Sequence, residues 1–149
     1  MGVEILSLLK RHKRVALDTS IFIYQAQAHP KYAVLTQPLF AWIEQPRGYA
    51  ISSTITLTEV LVQPIRNKDE SLESALTGLL CRYPNLDLVP VSAPIAAVAA
   101  RHRAEYKLKT PDALQSATCV YSQVSVFITN DAVFRRIPEL QVVVLDDLL

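Results

Sequence analysis

Five short apolar stretches separate a series of helical segments, and this alternation constrains the chain more than any other property. Arg14-Val15-Ala16-Leu17, Tyr49-Ala50-Ile51, Leu86 to Val89, Val126-Phe127-Ile128 and Gln141 to Leu145 are too short for helices and almost free of polar alternation. Strands of that kind are buried on both faces, which is the condition of a parallel sheet held between helical layers. The expected fold is therefore α/β: a three-layer α/β/α sandwich around a mostly parallel five-stranded sheet. At 149 residues, half of them apolar, the chain has the size and core of one domain spanning 1–149.

Between the strands, capping chemistry marks where helices begin. Thr19-Ser20 precede the apolar segment Ile21 to Tyr24, Ser52-Ser53-Thr54 open a helix expected to end near Val62 before Pro64, and Asp69 to Tyr83 carries leucines on one face. Lys31 to Gln45 has helical spacing at Leu35, Leu39, Trp42 and Ile43, with Pro38 predicted to kink or split it. Ser92-Ala93-Pro94 starts an alanine-rich helix, and Thr110-Pro111 starts the next, with Thr110 read as its N-cap.

Several function classes are excluded at this stage. No apolar run approaches the ~20 residues of a membrane span, and the patch Ile5-Leu6-Leu8-Leu9 precedes the basic residues Lys10, Arg11, Lys13 and Arg14, the wrong order for a secretion signal. Three glycines in the whole chain cannot build a dinucleotide fingerprint or a P-loop. Cys81 and Cys119 lack ligand spacing and are expected to be core residues of a protein kept in a reducing cytoplasm. His12, His29 and His102 are expected at the surface.

Four carboxylates remain to be explained. In an open parallel sheet, ligands bind beyond the carboxyl ends of the strands, and both Asp18 and Asp131 fall there, each after an apolar strand and beside hydroxyl or amide neighbours: Thr19 and Ser20 for the first, Thr129 and Asn130 for the second. Glu59 is the single charge between Ile51 and Ile65, and Asp112 occupies the first turn of its helix, where the helix dipole favours an anion. Each alone is compatible with a turn, cap or salt-bridge role. Together they would repel one another and raise one another's pKa values unless a divalent cation neutralised them. Hard oxygen donors suit Mg²⁺ or Mn²⁺, whose chemistry at phosphodiesters is hydrolysis by activated water. Setting those four acids aside leaves fifteen basic residues against ten acidic, and Arg101, Arg103, Lys107, Lys109, Arg135 and Arg136 could rim the site for phosphate.

The segments Leu17-Asp18-Thr19-Ser20-Ile21-Phe22, Thr58-Glu59-Val60, Thr110-Pro111-Asp112-Ala113 and Ile128-Thr129-Asn130-Asp131-Ala132-Val133-Phe134 resemble, in order and spacing, the PIN-domain family. The closest resemblance is to VapC-type toxins, metal-dependent ribonucleases paired with a small antitoxin, and it runs from Arg14 to Leu145. It implies that Asp18 and Asp112 are principal ligands of Mg²⁺ or Mn²⁺, that Asp131 is a further or water-mediated ligand, and that Glu59 binds a second ion or orients water. Thr19, Ser20, Thr129 and Asn130 would support the site. The resemblance further implies an RNA substrate, a cognate antitoxin and a homodimer; a cytoplasmic setting and no membrane association are expected from the missing signal and apolar span. Leu35, Leu39, Trp42 and the region of Ile65 are candidate contact surfaces, with a core role the expected alternative for each. Gln115-Ser116-Ala117 departs from the more aliphatic residues usual in the family at that point. A PIN nuclease of RNA processing without an antitoxin and a non-catalytic RNA- or protein-binding PIN-like module are the alternatives. A haloacid-dehalogenase-type phosphatase would need a second aspartate where Ser20 stands.

Overall fold

A computed structural model describes residues 2–149; Met1, the first residue of the 1–149 span expected to form one domain, lies outside the described residues. Helix α1 (Gly2–Arg11) leads into strand β1 (Val15–Leu17), followed by α2 (Thr19–Ala26), α3 (Ala33–Glu44), β2 (Ala50–Ser53), α4 (Thr54–Arg66), α5 (Glu70–Cys81), β3 (Leu86–Val89), α6 (Ala93–Tyr106), α7 (Thr110–Tyr121), β4 (Val126–Thr129) and β5 (Gln141–Val144). Single 3-10 turns follow β4 at Ala132–Arg136 and β5 at Leu145–Leu148.

The five strands form one sheet in the order β3-β2-β1-β4-β5, and every pairing is parallel. This is the α/β architecture expected, with the sheet wholly rather than mostly parallel. Successive residues of each strand enter opposite layers, as the two-residue period of a strand dictates. Val15, Leu17, Val126 and Ile128 join α1 to α5 in one core, where Phe22, Leu35, Leu39, Phe40 and Ile43 are completely enclosed. Ala16, Ile51 and Phe127 join α6, α7 and Phe134 in the other. Each enclosed Leu, Ile or Phe contributes about 1.5–3 kcal/mol relative to exposure. Leu35 and Leu39 are thus core residues and not the contact surface the sequence left open; Trp42 is half-buried, and Ile65 is exposed.

Local boundaries depart from expectation for identifiable reasons. The apolar patch at Ile5 to Leu9 forms α1, whose Ile5, Leu8 and Leu9 pack against α3. Pro38 lies inside an uninterrupted α3, and α4 runs past Pro64 to Arg66 because a proline forfeits one helical N–H bond while the following residues keep theirs, as Asn67 N–H to Gln63 O at 2.9 Å attests. Thr110 is the first helical residue of α7, and Lys109 stands at the N-cap. His102, expected at the surface, is instead buried between α6 and α7, where its Nδ1, 2.6 Å from Ser116 Oγ, has a hydrogen-bond partner that makes burial of the ring tolerable. Cys119 is buried as expected, but Cys81, the last residue of α5, is exposed, and both are free thiols. No helix among the described residues is long and apolar enough to cross a membrane.

Candidate metal centre

The chain builds β1, β2 and β3 on one side and then crosses to place β4 and β5 on the other, so the connections diverge between the carboxyl ends of β1 and β4. Such a divergence leaves a crevice that the strand ends cannot fill. Asp18 and Asp131 stand on its two sides, and Asp18 N–H donates to Ile128 O at 3.0 Å, which ties the two strand ends together. Helix α4 brings Glu59 from the β2 side, and α7 brings Asp112 from the opposite layer. All four carboxylates line one pocket of about 280 Å³, together with Thr19, Ser20, Ile23, Tyr24 and Asn130.

Asp18 caps α2. Its Oδ1 accepts from Thr19 N–H at 2.8 Å, and its Oδ2 accepts from Thr129 Oγ1 at 2.6 Å, so both oxygens are oriented by the first turn of a helix and the last residue of β4. Thr19 turns its hydroxyl to Glu59 Oε1 at 2.8 Å. Thr129 also accepts from Asp131 N–H at 3.0 Å, and Asp131 Oδ1 accepts from Val133 N–H at 2.9 Å. Asn130 braces the pocket wall: its amide donates to Tyr24 Oη at 3.2 Å and its Oδ1 accepts from Asp146 N–H at 3.0 Å, which fastens the end of β4 to α2 and to the turn after β5.

Burial is the largest influence on Asp18 and outweighs the hydrogen bonds from Thr129 and Thr19; with the neighbouring charges of Glu59 and Asp112 it pushes the carboxyl up to about 6. Asp112 is also raised, first by burial and then by Asp131 and Glu59, with Lys109 opposing. None of the four forms a salt bridge with another described residue. Anions crowded in this way are relieved by a proton or a cation.

Among the described residues, no three acidic, histidine or cysteine side chains stand close enough to hold one ion directly. A pocket of this width instead fits a hydrated ion held by one or two carboxylates, with the others reached through water, which is the usual manner of Mg²⁺. Ser20 Oγ, buried with no hydrogen-bond partner in the wall of this pocket, is the sort of orphaned group that such water satisfies.

The cationic rim is smaller than the sequence implied. Lys109 faces Asp112 electrostatically, but Arg103 Nε donates to Leu108 O, Arg135 pairs with Asp147, and Arg136 reaches Tyr106 O and Lys107 O. These arginines close helix and turn ends.

Sequence reasoning missed Gln115. The residue is 2% exposed, and its Nε2 lies 2.7 Å from Thr56 Oγ1, 3.2 Å from Thr19 Oγ1 and 3.4 Å from Glu59 Oε1. Thr56 continues to Ser52 Oγ at 2.8 Å, and Ser52 to Leu17 O at 2.8 Å. A polar chain therefore runs from the carbonyl before Asp18 to Glu59. Its signal was the glutamine itself: a departure from aliphatic residues one turn after Asp112, on the side of α7 that faces α4.

A comparison with curated proteins finds no match. Solved structures do. VapBC2 from Rickettsia felis, bound to a DNA fragment from its promoter, contains a chain 22% identical with a TM-score of 0.69, covering 87% of this chain and 97% of that one. A DNA-bound VapBC from Salmonella typhimurium is 20% identical with a TM-score of 0.66 over 89% and 98% of the two chains. A toxin–antitoxin complex from Klebsiella pneumoniae is 29% identical with a TM-score of 0.62 over 88% and 97%. The PIN domain profile matches residues 15–140. Because that segment runs from the start of β1 to the residue before β5 and contains all four carboxylates, the chain belongs to the PIN domain family.

Proposed function

We propose that this PIN domain, a single domain over the whole chain, is a metal-dependent endoribonuclease and the toxin of a toxin–antitoxin pair. The observation that carries the reading is the pocket at the divergence of β1 and β4, where four carboxylates lie without cationic partners. Support for the toxin assignment comes from the family and from fold likeness to chains in VapBC complexes.

Mg²⁺ or Mn²⁺, when bound, supplies Lewis-acid activation of water and neutralises charge that builds on the phosphoryl oxygens. Asp18 and Asp112 are the residues that would hold the ion, with Asp131 behind a water. Thr129 and the Thr19 amide keep the Asp18 carboxylate in one orientation. Glu59, held by Thr19 and neighboured by Gln115, is placed to orient a water or to share a second ion. Ser20 lines the same space, and Asn130 secures the wall. Single-stranded or looped RNA is the substrate class such an open pocket admits.

A small antitoxin, a second copy of the chain and a cytoplasmic setting complete the proposal. The apolar depression along α4 formed by Leu57, Leu61, Val62 and Ile65 is uncovered surface of the kind a partner helix buries.

The test is cleavage of a labelled pool of structured RNAs by purified protein with Mg²⁺ or Mn²⁺, with EDTA, and with Asp18→Asn. Cutting that requires metal and falls on the order of 100-fold or more in the variant is the expected outcome. Metal-independent cutting, or full activity in Asp18→Asn, would overturn the assignment.

A further inference from the structure

At the end of the sheet opposite the carboxylates lies a cationic surface that the proposed reaction does not use. Lys10, Arg11, Lys13 and Arg14 crowd the junction of α1 and β1, and Arg47 stands three residues before β2. None of the five forms a salt bridge among the described residues. Three of them have local work: Lys10 and Arg11 occupy the last turn of α1, where cations offset the helix dipole, and Arg14 covers the Tyr49 ring and donates to Ser122 O. Lys13 and Arg47 have none. They line two adjoining depressions of about 450 and 190 Å³, and the smaller is completed by Leu9, Lys10 and the half-buried Trp42.

Two unpaired cations beside an indole are a particular chemistry. A small anion needs the charges but not the ring, and an apolar helix needs the ring but not the charges. A single-stranded nucleic acid uses both, placing phosphates on the cations and a base against the aromatic face. Part of this pocket is built by α1, which lies outside the segment matched by the PIN domain profile, so the family's common fold does not account for it. Lys13 and Asp18 flank the two ends of β1, the central strand of the sheet, so this surface and the carboxylate pocket lie at opposite ends of the domain.

We propose that Lys13, Arg47 and Trp42 form a second nucleic-acid contact, which binds the phosphates and one base of single-stranded RNA away from the carboxylate pocket. The choice of RNA rests on the nuclease reading above; the pocket itself does not.

Trp42 is the single tryptophan of the chain, so its fluorescence reports this pocket directly. Asp18→Asn protein in EDTA is titrated with a twelve-nucleotide oligouridylate, and in parallel with the deoxy oligomer, inorganic phosphate and polyglutamate, before and after Lys13→Gln/Arg47→Gln. A saturable fluorescence change with oligouridylate, weakened at least tenfold in the double variant and with a log-log salt slope shallower by about 1.4 for two lost phosphate contacts, is expected. An equally folded double variant that binds as tightly as its parent would overturn the proposal. So would RNA binding seen by anisotropy with no change at Trp42, an equal response to polyglutamate, or a preference for the deoxy oligomer. Should the double variant lose its melting transition, Lys13→Gln and Arg47→Gln are scored singly against the same criterion. Metal-dependent cleavage is followed separately on the parent protein: its absence with pocket binding intact defeats the nuclease reading alone, and its presence without pocket binding defeats this proposal alone.

Discussion

Asp18 holds three positions at once: cap of α2, neighbour of β4, and floor of the acidic pocket. Without a metal its carboxyl sits at about 6, against 3.8 unperturbed. Between those values the folded state binds more protons than the unfolded state, so the stability owed to this group is present at low pH and is lost as pH rises through about 6. At pH 7.5 the ionised, crowded carboxylate costs on the order of 1–3 kcal/mol. Asp18→Asn is therefore expected to raise the unfolding free energy of EDTA-treated protein by about that amount at pH 7.5 and by little at pH 4; urea unfolding at both values decides, and an identical increment at each would contradict the account. Gln115 is a positioning residue by geometry. Gln115→Leu removes the amide shared by Thr56, Thr19 and Glu59, and about a tenfold fall in kcat with KM nearly unchanged is expected. Steady-state kinetics on a short RNA would show a rise in KM instead if the residue served only substrate binding.

Among the elements, α2 and α4 position the site because each starts at a strand's carboxyl end with a side-chain cap: Asp18 for α2, and Ser53 Oγ accepting from Ile55 N–H at 3.2 Å for α4. The link between α3 and β2 is equally constrained. A Cβ on Gly48 would lie 2.1 Å from Trp42 O and 2.6 Å from Ile43 O, and backbone carbonyls at the end of a packed helix cannot swing aside as a flexible side chain would. Gly48→Ala is expected to cost about 2–3 kcal/mol by overpacking, lowering the thermal midpoint by on the order of 5–10 °C. A midpoint within a degree of the parent would show that this turn is freer than its contacts imply. The starts of α4, α5 and α6 were legible as Ser53, Asp69 and Ser92 before apolar runs, whereas α3 and α7 begin without a side-chain cap of that kind. The end of α4 and the course of α3 were not legible, because proline's local preference was outweighed by the burial of Pro64 and of Leu39 and Phe40 around Pro38.

For the whole molecule, the crowding that raises Asp18 and Asp112 is a stored cost that a bound cation would remove. Anything that binds the folded state alone stabilises it by RT ln(1 + [L]/Kd), about 2.7 kcal/mol at a hundredfold excess over Kd. Saturating Mn²⁺ is expected to raise the melting temperature reversibly, with EDTA abolishing the rise and Asp18→Asn blunting it; a melting curve indifferent to Mn²⁺ would remove the metal from the account. The sheet order matters here, since β3-β2-β1-β4-β5 places β1 next to β4 and so brings together acids more than a hundred residues apart.

From residue types and spacing alone came the α/β class, five strands, the capped starts of α4, α5 and α6 and the four acids that share a pocket, because strand burial, caps and strand-end carboxylates are local patterns. The PIN domain family entered separately, as a resemblance carried by the segments around Asp18, Glu59, Asp112 and Asp131, and the family model over residues 15–140 bears it out. The sequence could not show that His102 and Gln115 are interior residues or that Cys81 is exposed, since burial depends on which helix faces which. Nor could it show that Arg103, Arg135 and Arg136 are engaged at helix and turn ends, or that Lys13, Arg47 and Trp42 share a surface. Those facts require contacts between segments distant in the chain, and only the packed sheet and its two helical layers determine them.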